Sequence, residues 1–411
     1  MKRRDFFKTM GAGSLTSFSS PPLNGILTQD SSPALKGEVA GRMDPWIEVN
    51  LSHILWNFSQ LKKWAKVPVM AVVKANAYGH GLVEVSEALE KAGVDWLMVG
   101  KLAEAIQLRQ AGIRCPILNF GPFNRQDCEE IIGLNISQSV FSEDAVFLNE
   151  AASRLGKKAS VHIDIDTGMS RTGILHDRAL PFIEKIASLS QVKIEGLATT
   201  LTEDPEFDRE QLKRFTGVCA SAEKRGVRLG LRHAASSAGI FESPQFCLDM
   251  IRPGITLYGY YPNSQTQKED LLKLRPALKL AAKVTFVKDL SPGESLSYHR
   301  LFTAPKKMRV ATVGIGYSDG YPPQLGGKGF VSVRGKKYPV FPAVTANHTM
   351  IDLLNDPEIK VGDDVVLIDN QKNSSLTADV LAESSGVSDY RILIGLNPLL
   401  PRKFLWSKDQ Y

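Results

Sequence analysis

The chain has 411 residues, 43% hydrophobic and 23% charged, with a formal net charge of +6 and a pI near 8.9. This is enough apolar material for a large core or two ordinary domains. It excludes a membrane-spanning helix, because no run approaches the ~20 apolar residues a bilayer requires. The basic excess is mild and shows no aromatic–basic interleaving, which argues against a nucleic-acid partner. The cysteines Cys115, Cys128, Cys219 and Cys247 form no CxxC pair and no disulfide framework. No metal site is expected.

Residues 1–42 read as a separate segment. "KRRDFFK" (2–8), a short weakly apolar stretch and Ser/Pro-rich sequence resemble a twin-arginine export signal. An exported, periplasmic protein is the expectation, without a transmembrane anchor on the mature chain. The other reading is a disordered basic tail, and then a cytoplasmic protein.

From residue 67 strand-like and helical patterns alternate. "VPVMAVVK" (67–74) precedes a helical stripe over 81–93. "WLMVG" (96–100) precedes a helix over 102–111, and "CPILNFG" (115–121) one near 125–133. "ISQSV" (136–140) leads to 142–154, and "ASVHIDID" (159–166) to 177–189. "KIEGLAT" (193–199) leads to 208–225, and "LGLRHAA" (229–235) to a short helix around 244–246. "LDMIRPG" (248–254) closes the series. Parallel strands need crossovers, and helices supply them. Eight such units predict a (β/α)8 barrel over 43–280, with an open doubly wound sheet as the alternative. From 281 to 411, β-branched runs broken by Pro292-Gly293, Gly326-Gly327, Gly335 and Gly362-Asp363 predict a mostly antiparallel β domain, helical only near 379–387. The polar run 263–271 reads as a linker or outer loop.

In such a barrel, chemistry collects at the C-terminal strand ends. Those ends carry Lys74, then Asp164, Asp166 and Arg171, then His233, Ser236 and Ser237, then Arg252, Pro253 and Gly254. A lysine at a strand end also simply faces solvent. Here, however, Tyr78, Ser237 and the N–H groups near Gly254 offer donors for a dianionic phosphate. An amine beside a phosphate cradle points to pyridoxal phosphate.

The motifs "AVVKANAYGHG" (71–81), "DTGMSRTG" (166–173), "MIRPGITLYG" (250–259), "SYHRLFTAP" (297–305) and "VGIGYSDGYP" (313–322) resemble those of the alanine racemase family. These are fold-type III pyridoxal-phosphate enzymes, and the resemblance covers about residues 46–407. It implies that Lys74 carries the cofactor and is the base on one face. Tyr317 would be the base on the other, reaching the barrel mouth of a second subunit in a homodimer with shared active sites. Arg252 would lie at the ring nitrogen and Arg171 at the phenolic oxygen. Tyr78, Ser237, Gly254 and Ile255 would hold the phosphate. Arg171, Ala346 and Asn347 would contact the amino-acid substrate. The residue types suit racemisation, in which a proton leaves one face of Cα and returns on the other, so two bases must flank it. An arginine at the ring nitrogen keeps its own proton, leaves that nitrogen neutral and limits side reactions.

Four departures from the family pattern stand out. Thr200, in "LATTLTED", replaces the histidine that supports the catalytic tyrosine, with His299 as a possible compensator. Ala346 and Asn347 replace a methionine–aspartate pair. Pro398 replaces a tyrosine that narrows the entrance, and Ser236 an asparagine beside it. Lost bulk predicts a widened site accepting lysine, arginine, serine or methionine. The alternatives are an alanine racemase proper, another reaction at Cα such as β-elimination, epimerisation or aldol-type cleavage, and a non-catalytic cofactor-binding protein.

Overall fold

The computed structural model describes residues 43–406, and the export-like segment read at 1–42 lies outside them. β1 (Trp46–Asn50) leads into α1 (Leu51–Ala65). The Asn50 side chain accepts from the His53 N–H and starts the helix, and Lys66 at φ 54° ends it. The barrel then runs β2 (Met70–Val72), α2 (Lys74–Tyr78), α3 (Leu82–Lys91), β3 (Trp96–Val99), α4 (Leu102–Gln110), β4 (Ile117–Asn119), α5 (Cys128–Gly133), β5 (Ser137–Val140), α6 (Ala145–Leu155) and β6 (Ala159–Asp166). It continues with β7 (Ile174–Leu175), α7 (Ala179–Ser188), β8 (Val192–Ala198), α8 (Pro205–Lys224), β9 (Leu231–His233) and α9 (Ser237–Glu242). The strands pair in parallel in the order β2-β3-β4-β5-β6-β8-β9, with β7 beside β6.

The eighth expected strand, 248–254, shrinks to one parallel bridge between Ile251 and Val69. It still closes the ring. Met70 N–H reaches Ile251 O at 2.8 Å and Val72 N–H reaches Pro253 O at 3.0 Å. On the other side Arg252 N–H reaches Ala235 O at 2.9 Å. Closure in this order rules out the open doubly wound sheet.

α10 (Ser264–Glu269) occupies the stretch read as a linker. The C-terminal region holds β10 (Leu278–Leu290), β11 (Ser295–Leu296), β12 (Phe302–Thr303), β13 (Met308–Val313), β14 (Phe330–Val333), β15 (Lys336–Pro339), β16 (Thr349–Asp352), β17 (Asp364–Ile368), α11 (Ala378–Ser385), α12 (Asp389–Ile394) and β18 (Arg402–Leu405). Its main sheet runs β15-β14-β17-β10-β1-β18, with β13 and β16 continuing from β10. Every pair is antiparallel except β1 with β18. β1 thus belongs to this sheet although it precedes the barrel. One apolar core is continuous from Ile54 and Leu61 of α1 through the barrel to Val331 and Val365. Each such side chain contributes about 1.5–3 kcal/mol on burial.

Candidate active site

Lys74 stands just past β2, at the C-terminal end of the barrel strands. The turn after it is left-handed. Ala75, Asn76, Ala77 and Tyr78 have φ of 54°, 56°, 50° and 51°. Each such residue is disfavoured by roughly 1–2 kcal/mol, so the surroundings must impose the shape. They do so from several sides. Wholly buried His80 places Nδ1 2.9 Å from Tyr78 O and 3.1 Å from Ala77 O. Both partners only accept, so Nδ1 carries the proton. Asn76 Oδ1 accepts from the Leu82 N–H at 2.8 Å and starts α3. Arg402 Nε–H donates to Gly79 O at 3.0 Å. Gly79 itself has φ +84°, and a Cβ there would lie 2.2 Å from Leu393 O. The stem of Lys74 runs past Gly100, where a Cβ would lie 3.4 Å from Lys74 Cβ. Lys74 is exposed in the single chain, yet protein atoms crowd its amine. That desolvation, reinforced by the Arg171 guanidinium and opposed by Glu104, holds its pKa below the usual lysine value.

The expected phosphate end assembles. Ser237 Oγ accepts from the Gly254 N–H at 3.0 Å and the Thr256 N–H at 3.4 Å, and pairs with Thr256 Oγ1 at 3.0 Å. A Cβ at Gly254 would lie 2.5 Å from the Tyr78 hydroxyl, and Ile255, buried, begins the next turn. Hydroxyls and backbone N–H groups converge where residue 254 has no side chain, and this donor set fits a phosphate monoester. Tyr78 is stacked 5.0 Å from Tyr258, and burial pushes its hydroxyl pKa up, so it remains a donor.

Arg252 is buried in the barrel mouth. Its Nη1 donates to His233 Nδ1 and His233 O, both at 2.7 Å, and its Nη2 to Thr199 O at 2.8 Å and Ala234 O at 3.1 Å. Both terminal nitrogens are occupied, so Nε–H is the donor left for a ligand. Burial lowers its pKa to about 10, with Asp164 opposing, so the guanidinium stays charged at neutral pH. Asp164, buried and accepting from Thr172 Oγ1 at 3.1 Å, is raised to about 6 by burial, partly offset by Arg252 and Arg171. Asp166 Oδ1 accepts from the N–H groups of Gly168 and Ser170 at 2.9 and 3.0 Å. It thereby shapes the loop that presents Arg171, which is exposed.

Tyr317, Ala346 and Asn347 form a second cluster, on the β region. Tyr317 N–H donates to Thr345 O at 3.0 Å. Ser318 bonds Ala346 O through its N–H at 3.0 Å and its hydroxyl at 2.7 Å, and receives Asn347 Nδ2 at 2.9 Å. The fit needs Gly316, where a Cβ would lie 2.1 Å from Thr345 O. Within the chain no hydrogen bond or ring contact among the described residues joins this cluster to Lys74, and Tyr317 is 53% exposed. Among the described residues neither the Thr200 nor the His299 side chain has a hydrogen-bond partner, and Thr200 O accepts from Gln211 at 3.0 Å. Ser236 precedes α9 without capping it by its side chain, and Pro398 O accepts from Arg402 Nη1 at 2.9 Å.

The sequence reading missed three residues near the cofactor-binding end. His80 lay inside the quoted motif without a role. His162 lay in a strand pattern. Tyr390, on α12, lies 5.7 Å ring to ring from Tyr78, with the Glu203 carboxylate near both.

A barrel with a lysine on a strained turn, a phosphate-sized donor cradle and a buried arginine, joined to a β region that presents a tyrosine, defines a pyridoxal-phosphate enzyme of fold type III. Two family models match the chain, the alanine racemase N-terminal domain over residues 49–262 and the alanine racemase C-terminal domain over 277–404. The chain belongs to the alanine racemase family. It is 38% identical over 373 residues to alanine racemase 2 of Caldanaerobacter subterraneus subsp. tengcongensis, covering 89% of this chain and 96% of the relative. The solved alanine racemase of Clostridium difficile 630 superposes with a TM-score of 0.84 at 34% identity, covering 89% of this chain and 97% of that one. That of Bartonella henselae, with covalently bound pyridoxal phosphate, gives 0.79 at 25% identity, covering 89% and 100%.

Proposed function

We propose that this protein is a pyridoxal-phosphate-dependent racemase that interconverts L- and D-alanine. The observation that carries the reading is near full-length similarity to alanine racemases, with Lys74 and Tyr317 both present on shaped turns. The cofactor, held at Lys74, Tyr78, Ser237, Gly254 and Ile255, supplies an electron sink that makes the Cα proton removable. Lys74 holds or takes the proton on one face, helped by its lowered pKa. Tyr317 serves the other face. Arg252 offers its Nε–H to the ring nitrogen without surrendering a proton. Arg171, whose charge acts on the Lys74 amine, would meet the phenolic oxygen and the substrate carboxylate. Ala346 contributes backbone and Asn347 an amide at the substrate end.

Tyr317 is exposed and does not meet its own Lys74, so the two-base arrangement needs a second copy of the chain. Tyr298 and Leu301, 76% and 53% exposed, offer apolar surface for that copy. Mixing Lys74→Ala and Tyr317→Phe proteins tests this: activity appears in the mixture only if sites are shared.

A wider substrate range is the second reading, resting on the side chains missing at Pro398 and Ala346. Tyr390 beside Tyr78 weighs against it, because an aromatic ring still flanks the phosphate end. The deciding experiment is a racemisation screen of the pyridoxal-phosphate-loaded protein against alanine, serine, lysine and arginine by chiral chromatography. Fast alanine turnover, abolished in Tyr317→Phe, supports the first reading, and faster lysine or arginine turnover replaces it with the second. Export is read from "KRRDFFK" and the weakly apolar, Ser/Pro-rich stretch after it, and cell fractionation with and without Arg3→Lys and Arg4→Lys tests it.

A further inference from the structure

We propose that His162 is a positioning residue: from inside the barrel it fixes the proton of His233 on Nε2, and so keeps the His233 Nδ1 lone pair on Arg252. The juxtaposition is a buried row, Arg252 Nη1 to His233 Nδ1 at 2.7 Å and His233 Nε2 to His162 Nδ1 at 2.8 Å. The role in the reaction rests on the racemase reading above, whereas the proton assignment does not.

Arginine only donates, so His233 Nδ1 must be the acceptor. A neutral imidazole has one N–H, which places the His233 proton on Nε2. That N–H points at His162 Nδ1, which must then accept, leaving the His162 proton on Nε2. The reverse polarity would need His233 to carry no proton at all, and a doubly protonated His233 would set an N–H against the guanidinium. One assignment satisfies both hydrogen bonds of the row, and it leaves the His162 Nε2–H against the Trp96 ring. It also explains why both imidazoles stay neutral. Burial depresses His162 to about 4, with Glu195 opposing and Arg252 adding, while burial, Arg252 and His162 hold His233 well below the usual range.

The backbone is cut to allow this contact. His162 is on β6 and His233 on β9, and β8 runs between them. The β8 residue in register with His162 is Gly196. A Cβ at Gly196 would lie 2.6 Å from His162 Nδ1 and 2.6 Å from Leu231 O. The rings therefore meet across the middle strand only because residue 196 has no side chain. On its far side His162 Nε2 is buried without a hydrogen-bond partner, and the Trp96 ring lies 5.0 Å away at 73°. Among the described residues the His162 side chain thus makes one hydrogen bond, and it is with His233. Its other neighbours are Ser139 on β5, in register with it, and Glu195 on β8.

Without an acceptor at this place, a buried His233 Nε2–H loses its partner. The ring can then turn or move its proton to Nδ1, where it opposes Arg252. The guanidinium loses a side-chain acceptor, and its Nε–H, the group facing the ring nitrogen, loses its aim.

The test compares His162→Leu, which fills similar volume without an acceptor, with His162→Asn, whose Oδ1 takes the place of Nδ1. Nitrogen-15 spectra of the holoenzyme should show His233 protonated on Nε2 and bare on Nδ1. Arg252 side-chain N–H signals, slowly exchanging in the parent protein, should be lost in His162→Leu and return in His162→Asn. In turnover, His162→Leu should lower kcat on the order of tenfold to a hundredfold with KM little changed, and His162→Asn should recover most of it. A space-filling role predicts the opposite ranking, since asparagine is the smaller residue. Protonation of His233 on Nδ1 would overturn the inference, as would Leu and Asn variants that behave alike or a leucine variant with full activity. If neither variant folds, the parent spectrum alone decides the proton assignment on which the inference stands. If the parent does not racemise alanine, the Proposed function fails while the spectra still decide this inference.

Discussion

Replacing His80 by leucine should release the left-handed turn that presents Lys74. His80 is wholly buried, and its single Nδ1–H serves Tyr78 O at 2.9 Å and Ala77 O at 3.1 Å. Leucine fills most of the volume but donates nothing, so two carbonyls of a strained turn lose their shared partner. Leaving such a group unpaired costs about 1–3 kcal/mol. The ring contact with Tyr258, 4.5 Å between centroids, is also lost, worth about 0.5–1.5 kcal/mol. Together these give about 2–4 kcal/mol, or roughly 2–5 °C in Tm for a chain of this size. The same loss should weaken cofactor binding, because Lys74 and Tyr78 flank the turn. Thermal unfolding with and without pyridoxal phosphate, and a cofactor titration followed by absorbance, measure both. An unchanged Tm and an unchanged Kd would refute the claim that His80 imposes the turn.

Gly316→Ala should leave the fold intact by circular dichroism but lower kcat on the order of a hundredfold. The new Cβ would meet Thr345 O at 2.1 Å and Ala346 O at 2.3 Å, lifting Tyr317 off its support. Wild-type kcat in that variant would show that the turn at 316–319 does not set Tyr317. Acid stability follows from the buried groups. His80 and His162, lowered to about 3 and about 4, and His233, held well below the usual histidine range by burial, bind no proton in the folded state near pH ~5.5, whereas the same three in the unfolded chain are mostly protonated there. That stability is present above about pH 6.5 and is lost as pH falls. Asp164 and Asp389, raised to about 6, bind protons in the folded state and oppose the trend. His53, lowered by burial, adds to the histidines, and Glu203 and Glu242, raised by burial, add to the carboxyls. The wholly buried histidines set the sign, so stability should fall as pH drops from about 6 to about 5. Urea unfolding across that range tests the sign. A rise in stability on acidification would show that the carboxyls outweigh the histidines.

The barrel was legible because its alternation is local. Each β-branched or aliphatic run is followed by an amphipathic helix of crossover length, and the crossover fixes the parallel topology. β1 was not legible for the converse reason. "WIEVN" is a strand only because it pairs with β10, more than two hundred residues away, and with β18. The eighth strand read as regular because Leu248, Met250 and Ile251 suggest a strand, but Pro253 has no N–H and the segment bends into the turn at Gly254, so a single bridge remains. That Lys74, Arg252, Ser237 and Gly254 stand at one end of the barrel was readable from the strand ends. The left-handed turn was not, since of its residues only asparagine is enriched at positive φ, and a run of four such residues that includes alanine and tyrosine has no local signal. Here His80, Arg402 and Leu393 hold it from outside, and the Asn76 side chain ties it to α3.

The same distinction orders the altered shell. Thr200, Ala346, Asn347 and Pro398 were conspicuous as departures, and lost side chains suggested an enlarged site. Volume at a site is set by what fills it, and not only by what is absent from one position. Tyr390 comes from α12, next to the segment that carries Pro398, and its ring stands against Tyr78. A tyrosine eight residues before the expected one therefore flanks the phosphate end. Its hydroxyl, raised by burial and by Tyr78, Glu203 and Asp389, is a neutral donor. If Tyr390 serves as the narrowing group, Tyr390→Ala should open the site, raising lysine turnover relative to alanine in the same chiral assay. If Pro398 governs the entrance, restoring Pro398→Tyr should narrow the range while Tyr390→Ala leaves the ratio unchanged. The two substitutions bear on one volume from two sides, and the substrate ratio reports which residue bounds it.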